Sequence, residues 1–204
     1  MTPAYVNKAC QALASTDKEF ARAYKRIGAP APRNRPAGFE TFFNTIVSQQ
    51  LSTHAASAIM GRARTLLPDL TPQAVLEMDV ARLRDAGLSF RKIEYAQGLA
   101  SAIVEGDFCL ATLKKMPDAQ AIDYITQLKG FGRWSAEIYL MFSLKRKDIF
   151  PADDLALRIA IGRLKGWEDK PSAGQARELV EHWAPYRTVG SLFLWHYYKG
   201  EPNQ

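Results

Sequence analysis

Residues 127–142, QLKGFGRWSAEIYLMF, constrain the fold of this chain more than any other stretch. A helical segment ending near Leu128 meets Gly130-Phe131-Gly132, and a second apolar helix starts at once. Two glycines around one apolar residue permit a tight turn with positive φ, which residues carrying a Cβ resist. Such a turn leaves backbone N–H groups uncovered at the start of the second helix, where the positive end of the helix dipole also lies. Both features suit a phosphate oxygen, and Lys129 and Arg133 flank the turn with charge. The competing reading is an ordinary helix–turn–helix connection, because Gly-x-Gly alone is a weak signal. Phe131 is expected in the core, wedged between the helices.

The rest of the chain is helical in pattern. Thr16 with Glu19 has capping-box spacing, and the helix it would open ends at Gly28. Residues 28–38, GAPAPRNRPAG, form the clearest linker. Phe39, Phe42, Phe43, Ile46 and Val47 then recur at helical spacing and predict a core helix. Ser52 is a good N-cap for a helix that stops before Pro68. Ser89 caps another, with Phe90, Ile93, Ala96, Ala100 and Ile103 on one face and Gly106 as its stop. Further helices are expected near 132–144, 154–165 and 172–198. No alternating run is bounded by hairpin turns, so strands are not expected. The fold class is all-α.

Composition narrows the chemistry. The chain has 204 residues and a net charge of +6, enough for a sizeable core and compatible with a polyanionic partner. Eight Lys/Arg against four Asp/Glu fall between Lys129 and Lys165, including the run Lys145-Arg146-Lys147, which is either a solvated face or a phosphate contact. The two cysteines, Cys10 and Cys109, cannot build a disulfide framework, a Cys₄ zinc site or a four-cysteine iron–sulfur cluster. His182 and His196 show no metal-ligand spacing, and no metal site is expected. No run approaches the ~20 apolar residues of a membrane helix, and the N-terminus does not read as a signal peptide. The expectation is a soluble protein of a reducing compartment, cytoplasmic or nuclear.

Four segments in this order resemble the helix–hairpin–helix DNA glycosylase superfamily: FFNTIVSQQLSTHAA (42–56), GLSFRKIEYAQGLASAIVEG (87–106), LKGFGRWSA (128–136) and FPADDLALR (150–158). Within it the chain is similar to the alkylation-repair branch, the DNA-3-methyladenine glycosylase II group. The resemblance runs over roughly 38–198 and implies a two-lobed helical fold without the N-terminal β domain of the best-known bacterial member. The lobes are expected at 39–128 and at 1–38 plus 129–204, around a cleft for a flipped base. Bifunctional members carry a Schiff-base lysine where this chain has Trp134, so the resemblance implies a monofunctional enzyme. It implies no iron–sulfur cluster and no other cofactor, apart from the monovalent cation that some relatives hold on the hairpin carbonyls.

Site residues follow from the resemblance and from physical chemistry together. Asp154 occupies the catalytic aspartate position, while Asp153 is expected to cap the helix that follows, leaving Asp154 in its first turn. Gln50 lies at the wedge position of the intercalating loop, residues 48–52, and Leu51 is its apolar competitor for that task. Gln49 reads as structural. His54 is a minor-groove candidate or a plain surface residue. Trp134 and Trp195 match aromatic pocket positions, whose electron-rich faces suit a cationic base. Core packing is the competing reading for Trp195. Ile138 and Leu155 stand where the family has tyrosines. Lys129, Gly130, Gly132 and Arg133 would hold phosphate. The partner expected is duplex DNA bearing alkylated purines, met by a monomer. A non-catalytic helix–hairpin–helix DNA-binding module is the alternative.

Overall fold

The structure, a computed structural model, describes residues 1–200; the end of the expected second lobe, 201–204, lies outside the described residues. Among these residues no strand occurs. The helices are α1 (Pro3–Thr16), α2 (Lys18–Ile27), α3 (Phe39–Ser48), α4 (Thr53–Leu66), α5 (Pro72–Glu77), α6 (Val80–Asp85) and α7 (Phe90–Val104). There follow α8 (Leu110–Leu113), α9 (Asp118–Thr126), α10 (Arg133–Phe142), α11 (Leu155–Leu164), α12 (Ala173–Leu179) and, after a 3₁₀ turn at Glu181–Trp183, α13 (Arg187–Gly200). The all-α expectation holds.

The chain divides into two compact units, Met1–Arg35 with Glu137–Gln204, and Pro36–Ala136. The division therefore falls within α10 rather than ahead of the hairpin. Phe131 explains why: its ring meets Phe42 edge-on at 5.3 Å, binding the hairpin into the Pro36–Ala136 unit.

In the first unit, α1, α2, α11, α13 and the 3₁₀ turn enclose a core that includes Leu13, Phe20, Trp183 and Phe193. Phe20 packs against Phe193 with tilted rings, centroids 4.1 Å apart, and meets Trp183 edge-on at 5.5 Å. Each such side chain contributes about 1.5–3 kcal/mol of burial. The start of α2 departs from expectation. Thr16 stays inside α1, its hydroxyl donating to the Leu13 carbonyl at 3.2 Å. Asp17 is the cap instead: its backbone is extended, and Oδ1 accepts the Phe20 amide at 2.9 Å. Oδ2 meets Lys165 Nζ at 2.7 Å, Trp183 Nε1 at 2.8 Å and His182 Nε2 at 3.0 Å. Burial opposes the charged form, but the hydrogen bonds from Lys165, Phe20 and Trp183 outweigh it and pull the Asp17 carboxyl down to about 2. The expected helix over 172–198 is also interrupted. Pro185 lacks the N–H a helix interior needs, and α13 begins only at Arg187.

In the second unit, α3 buries Phe39, Phe42, Phe43, Ile46 and Val47, and α7 buries Ile93, Ala96, Leu99 and Ala100. Ser52 and Ser89 cap α4 and α7 as expected, accepting the amides of Ala55 and Lys92. Phe90 is a correction. It is 69% exposed, and the Arg84 guanidinium lies over its ring at 4.4 Å. The buried stripe of α7 starts at Ile93, one turn later, and Phe90 finds a cation in place of core.

Candidate active site

The site is built outward from Asp154. The turn Pro151–Asp154, closed by the Asp154 amide on the Pro151 carbonyl at 3.0 Å, ends in a residue with extended backbone, φ −69° and ψ 118°. That geometry is the one an N-cap needs, so Asp154 itself caps α11, its Oδ1 accepting the Leu157 amide at 3.0 Å. The expectation that Asp153 would be the cap is overturned. Asp153 turns aside toward Arg177, 3.7 Å away and exposed. The carboxylate with the catalytic assignment is thus fixed by its own helix, at the positive end of the dipole.

A second donor fixes it further. Trp195 on α13 points its indole Nε1 at Asp154 Oδ1 across 3.2 Å. Its ring packs beside Phe142, centroids 6.0 Å apart, and Trp195 keeps part of its surface exposed. Trp195 is therefore more than core packing, since it touches the candidate catalytic group. The Arg33 guanidinium lies 5.7 Å from the centroid of the same ring, a neighbour that no sequence signal in the 28–38 linker announces. Leu155, next to Asp154, is 55% exposed, whereas Ile138 is buried.

The Pro36–Ala136 unit carries the remaining candidates. Gly130 adopts φ 91°, the left-handed region expected of the turn, and Gly132 does not. A Cβ on Gly130 would lie 2.3 Å from Tyr95 Cδ2, so this position needs glycine for space as well as for conformation. The Gly132 carbonyl accepts the Ala136 amide at 3.1 Å and opens α10. Phe131 is buried as expected. Lys129 is exposed and ion-paired with Glu94, and Arg133 is exposed in the first turn of α10. Trp134, beside it, is 43% exposed. The Leu128 carbonyl accepts the Phe131 amide at 3.0 Å and the Gly130 carbonyl accepts Gln49 Nε2 at 2.7 Å, so two hairpin carbonyls are engaged by the chain itself.

That Gln49 contact joins the hairpin to residues 48–52. Gln49 is structural, as expected: its side chain ties residues 48–52 to the hairpin. Gln50 is exposed with φ 56°, a left-handed conformation that a side chain rarely takes. Leu51 is 38% exposed, and His54 is exposed in the first turn of α4. Lys92 Nζ donates to the Val47 carbonyl at 2.7 Å and anchors the end of α3 ahead of this loop. Burial lowers the Lys92 pKa. Tyr95, Lys92 and Glu94, all on the first half of α7, serve the hairpin and the loop. No local pattern marks them, because their targets lie far off in the sequence.

Among the described residues no group of three or more His, Cys, Asp or Glu could hold a metal ion, and no helix is long and apolar enough to cross a membrane.

The chain is similar to known proteins over most of its length. Residues 43–185 match the model of the HhH-GPD superfamily base excision DNA repair protein. The chain is 31% identical over 190 residues to DNA-3-methyladenine glycosylase 1 of Schizosaccharomyces pombe, spanning 90% of this chain and 83% of that protein. The solved structure of the S. pombe 3-methyladenine DNA glycosylase in complex with abasic DNA superimposes with a TM-score of 0.81 at 31% identity, over 92% of this chain and 95% of that one. DNA-3-methyladenine glycosidase from Bacillus halodurans gives a TM-score of 0.82 at 31% identity, over 90% and 85%. A hairpin built on Gly130 and an aspartate set at the head of α11 thus lie inside the matched region, and the chain belongs to the HhH-GPD superfamily of base excision DNA repair proteins.

Proposed function

We propose that the protein is a monofunctional DNA glycosylase of the DNA-3-methyladenine glycosylase II type. It flips N3- or N7-alkylated purines out of duplex DNA, hydrolyses the N-glycosidic bond and leaves an abasic site with the strand intact. The reading is carried by Asp154, whose Oδ1 is held by both the Leu157 amide and the Trp195 indole. Alkylation at N3 or N7 makes the purine cationic and a good leaving group, so no enzymatic acid is required at the base. As the bond breaks, positive charge develops on the sugar. A carboxylate already fixed in place stabilises that charge without reorganising, and water then adds at C1′. Trp134 stands at the position where a lyase has its lysine, which supports hydrolysis without strand cleavage.

The other candidates fit the steps before chemistry. Gly130 and Gly132, with Lys129 and Arg133, would grip a phosphate at the start of α10. Flipping costs a few kcal/mol, and Gln50 with Leu51 would fill the space the base leaves. His54 would face the minor groove. Trp134 and Trp195 would stack on the extruded base. The scheme needs no cofactor and a single copy of the chain.

The test compares wild type with Asp154→Asn on methylated duplex DNA, reading released bases and alkali-labile sites. Asparagine caps a helix about as well as aspartate, so the variant keeps its fold while losing the charge. Wild type should release alkylated purines without nicking, and the variant should lose release by a factor of about 10² or more. Release that survives the substitution would remove Asp154 from catalysis. Strand cleavage without alkali would show a lyase.

A further inference from the structure

The linker ahead of α3 reaches the candidate base pocket. Residues 28–35 form no helix, yet they are tied down: Asn34 Nδ2 donates to the Met1 carbonyl at 2.9 Å, and the Arg35 amide to the Phe142 carbonyl at 2.9 Å. Arg35 places its guanidinium 5.9 Å from the Phe142 ring, and Arg33 places its own 5.7 Å from Trp195. Trp195 is the residue that donates to Asp154. A fixed strap therefore delivers a permanent cation to the ring on which the extruded base is read to stack.

We infer that Arg33 is a specificity-determining residue of the base pocket, one that disfavours cationic bases relative to neutral purine lesions of similar shape. The inference rests on the proposed reading of Trp195 as a stacking surface. The attraction that a cationic base would gain from the indole face is the attraction Arg33 already takes. A cationic base must displace the guanidinium or share the ring with a like charge. A neutral lesion meets neither cost, and the planar guanidinium can stack on it.

Two duplexes of one sequence, one carrying 7-methylguanine and the other 1,N6-ethenoadenine, test this by single-turnover kcat/KM. Arg33→Ala should raise the cationic-to-neutral ratio about tenfold, the equivalent of one partly desolvated cation–π contact. Arg33→Lys, which keeps the charge but not the planar face, should fall between the wild-type ratio and that of Arg33→Ala. Added salt should narrow the discrimination of wild type and leave that of Arg33→Ala unchanged. An unchanged ratio in Arg33→Ala, including equal losses on both duplexes, would overturn the inference and leave Arg33 a packing residue.

A binding arm separates this result from failure of the glycosylase reading. Quenching of tryptophan fluorescence reports binding of free 3,9-dimethyladeninium and of 9-methyladenine. Arg33→Ala should favour the cation about tenfold more than wild type does. That shift without base release from any duplex would reject the enzyme and retain the selectivity, whereas equal relative affinities would reject the selectivity itself.

Discussion

The indole of Trp195 and the backbone amide of Leu157 converge on one oxygen of Asp154, at 3.2 and 3.0 Å. Helix α11 supplies one donor and α13 the other, so the carboxylate is oriented by two elements packed on one core. Capping and catalysis draw on the same atom. This is why the pair DD at 153–154 is not redundant: Asp154 has the backbone that starts the helix, and Asp153 is left to Arg177.

Trp195→Phe should keep an aromatic face while deleting the donor to Asp154. A hydrogen bond to a charged group contributes about 1.5–3 kcal/mol, so the single-turnover rate should fall at least tenfold if the bond strengthens toward the transition state. DNA affinity should stay within about twofold of wild type, because the aromatic face remains and the Leu157 amide still donates to Asp154. A rate equal to wild type would show that the indole N–H does not orient the carboxylate.

Gln50→Gly should separate stability from function. At φ 56° a side chain strains the backbone, and glycine relieves this, so the melting temperature should hold or rise, by the equivalent of about 1 kcal/mol at most. Base extrusion should nevertheless be impaired, because only Leu51 remains to fill the vacated stack. A 2-aminopurine reporter beside the lesion measures extrusion directly, and calorimetry measures stability. Loss of both together would make Gln50 a folding residue.

The sequence made the local chemistry legible and the long-range chemistry opaque. Helix spacing gave the buried faces of α3 and α7, and small polar residues at the right offsets gave the caps Ser52 and Ser89. It misassigned the cap at Thr16, since two successive helices share the junction and the stronger acceptor, Asp17, is also the buried one. It misplaced Phe90 because periodicity states which face a residue occupies but not where the core begins along the helix. Gln49 on Gly130, Lys92 on Val47 and Arg33 over Trp195 link distant parts of the chain, and no local pattern encodes such pairs.

The two hairpin glycines should behave differently. Gly130→Ala forces a Cβ to 2.3 Å from the Tyr95 ring in a left-handed conformation, so it should destabilise the protein by about 2 kcal/mol or more. Gly132→Ala meets no atom within 4 Å and has no positive φ, so its stability should change by less than about 1 kcal/mol. If the turn grips phosphate, Gly132→Ala should still weaken DNA binding by crowding the amides at the start of α10, and electrophoretic mobility shifts at two salt concentrations measure this. Equal stability losses in the two variants would contradict the geometry of the turn.

Asp17 makes the fold sensitive to acid. Its carboxyl is pulled from the ordinary 3.8 to about 2, so the folded state holds its proton less tightly than the unfolded chain does. The resulting stability is fully present above pH 3.8 and is lost as the pH falls from there through about 2, where both states become protonated. With the side chain fully buried, this amounts to about 2 kcal/mol. Urea unfolding of wild type and Asp17→Asn at stepped pH should show the wild type losing this increment across the window, with the variant lower at neutral pH and flatter in acid. Parallel profiles for the two proteins would mean that Lys165, His182 and Trp183 hold the α1–α2 junction without needing the charge of Asp17.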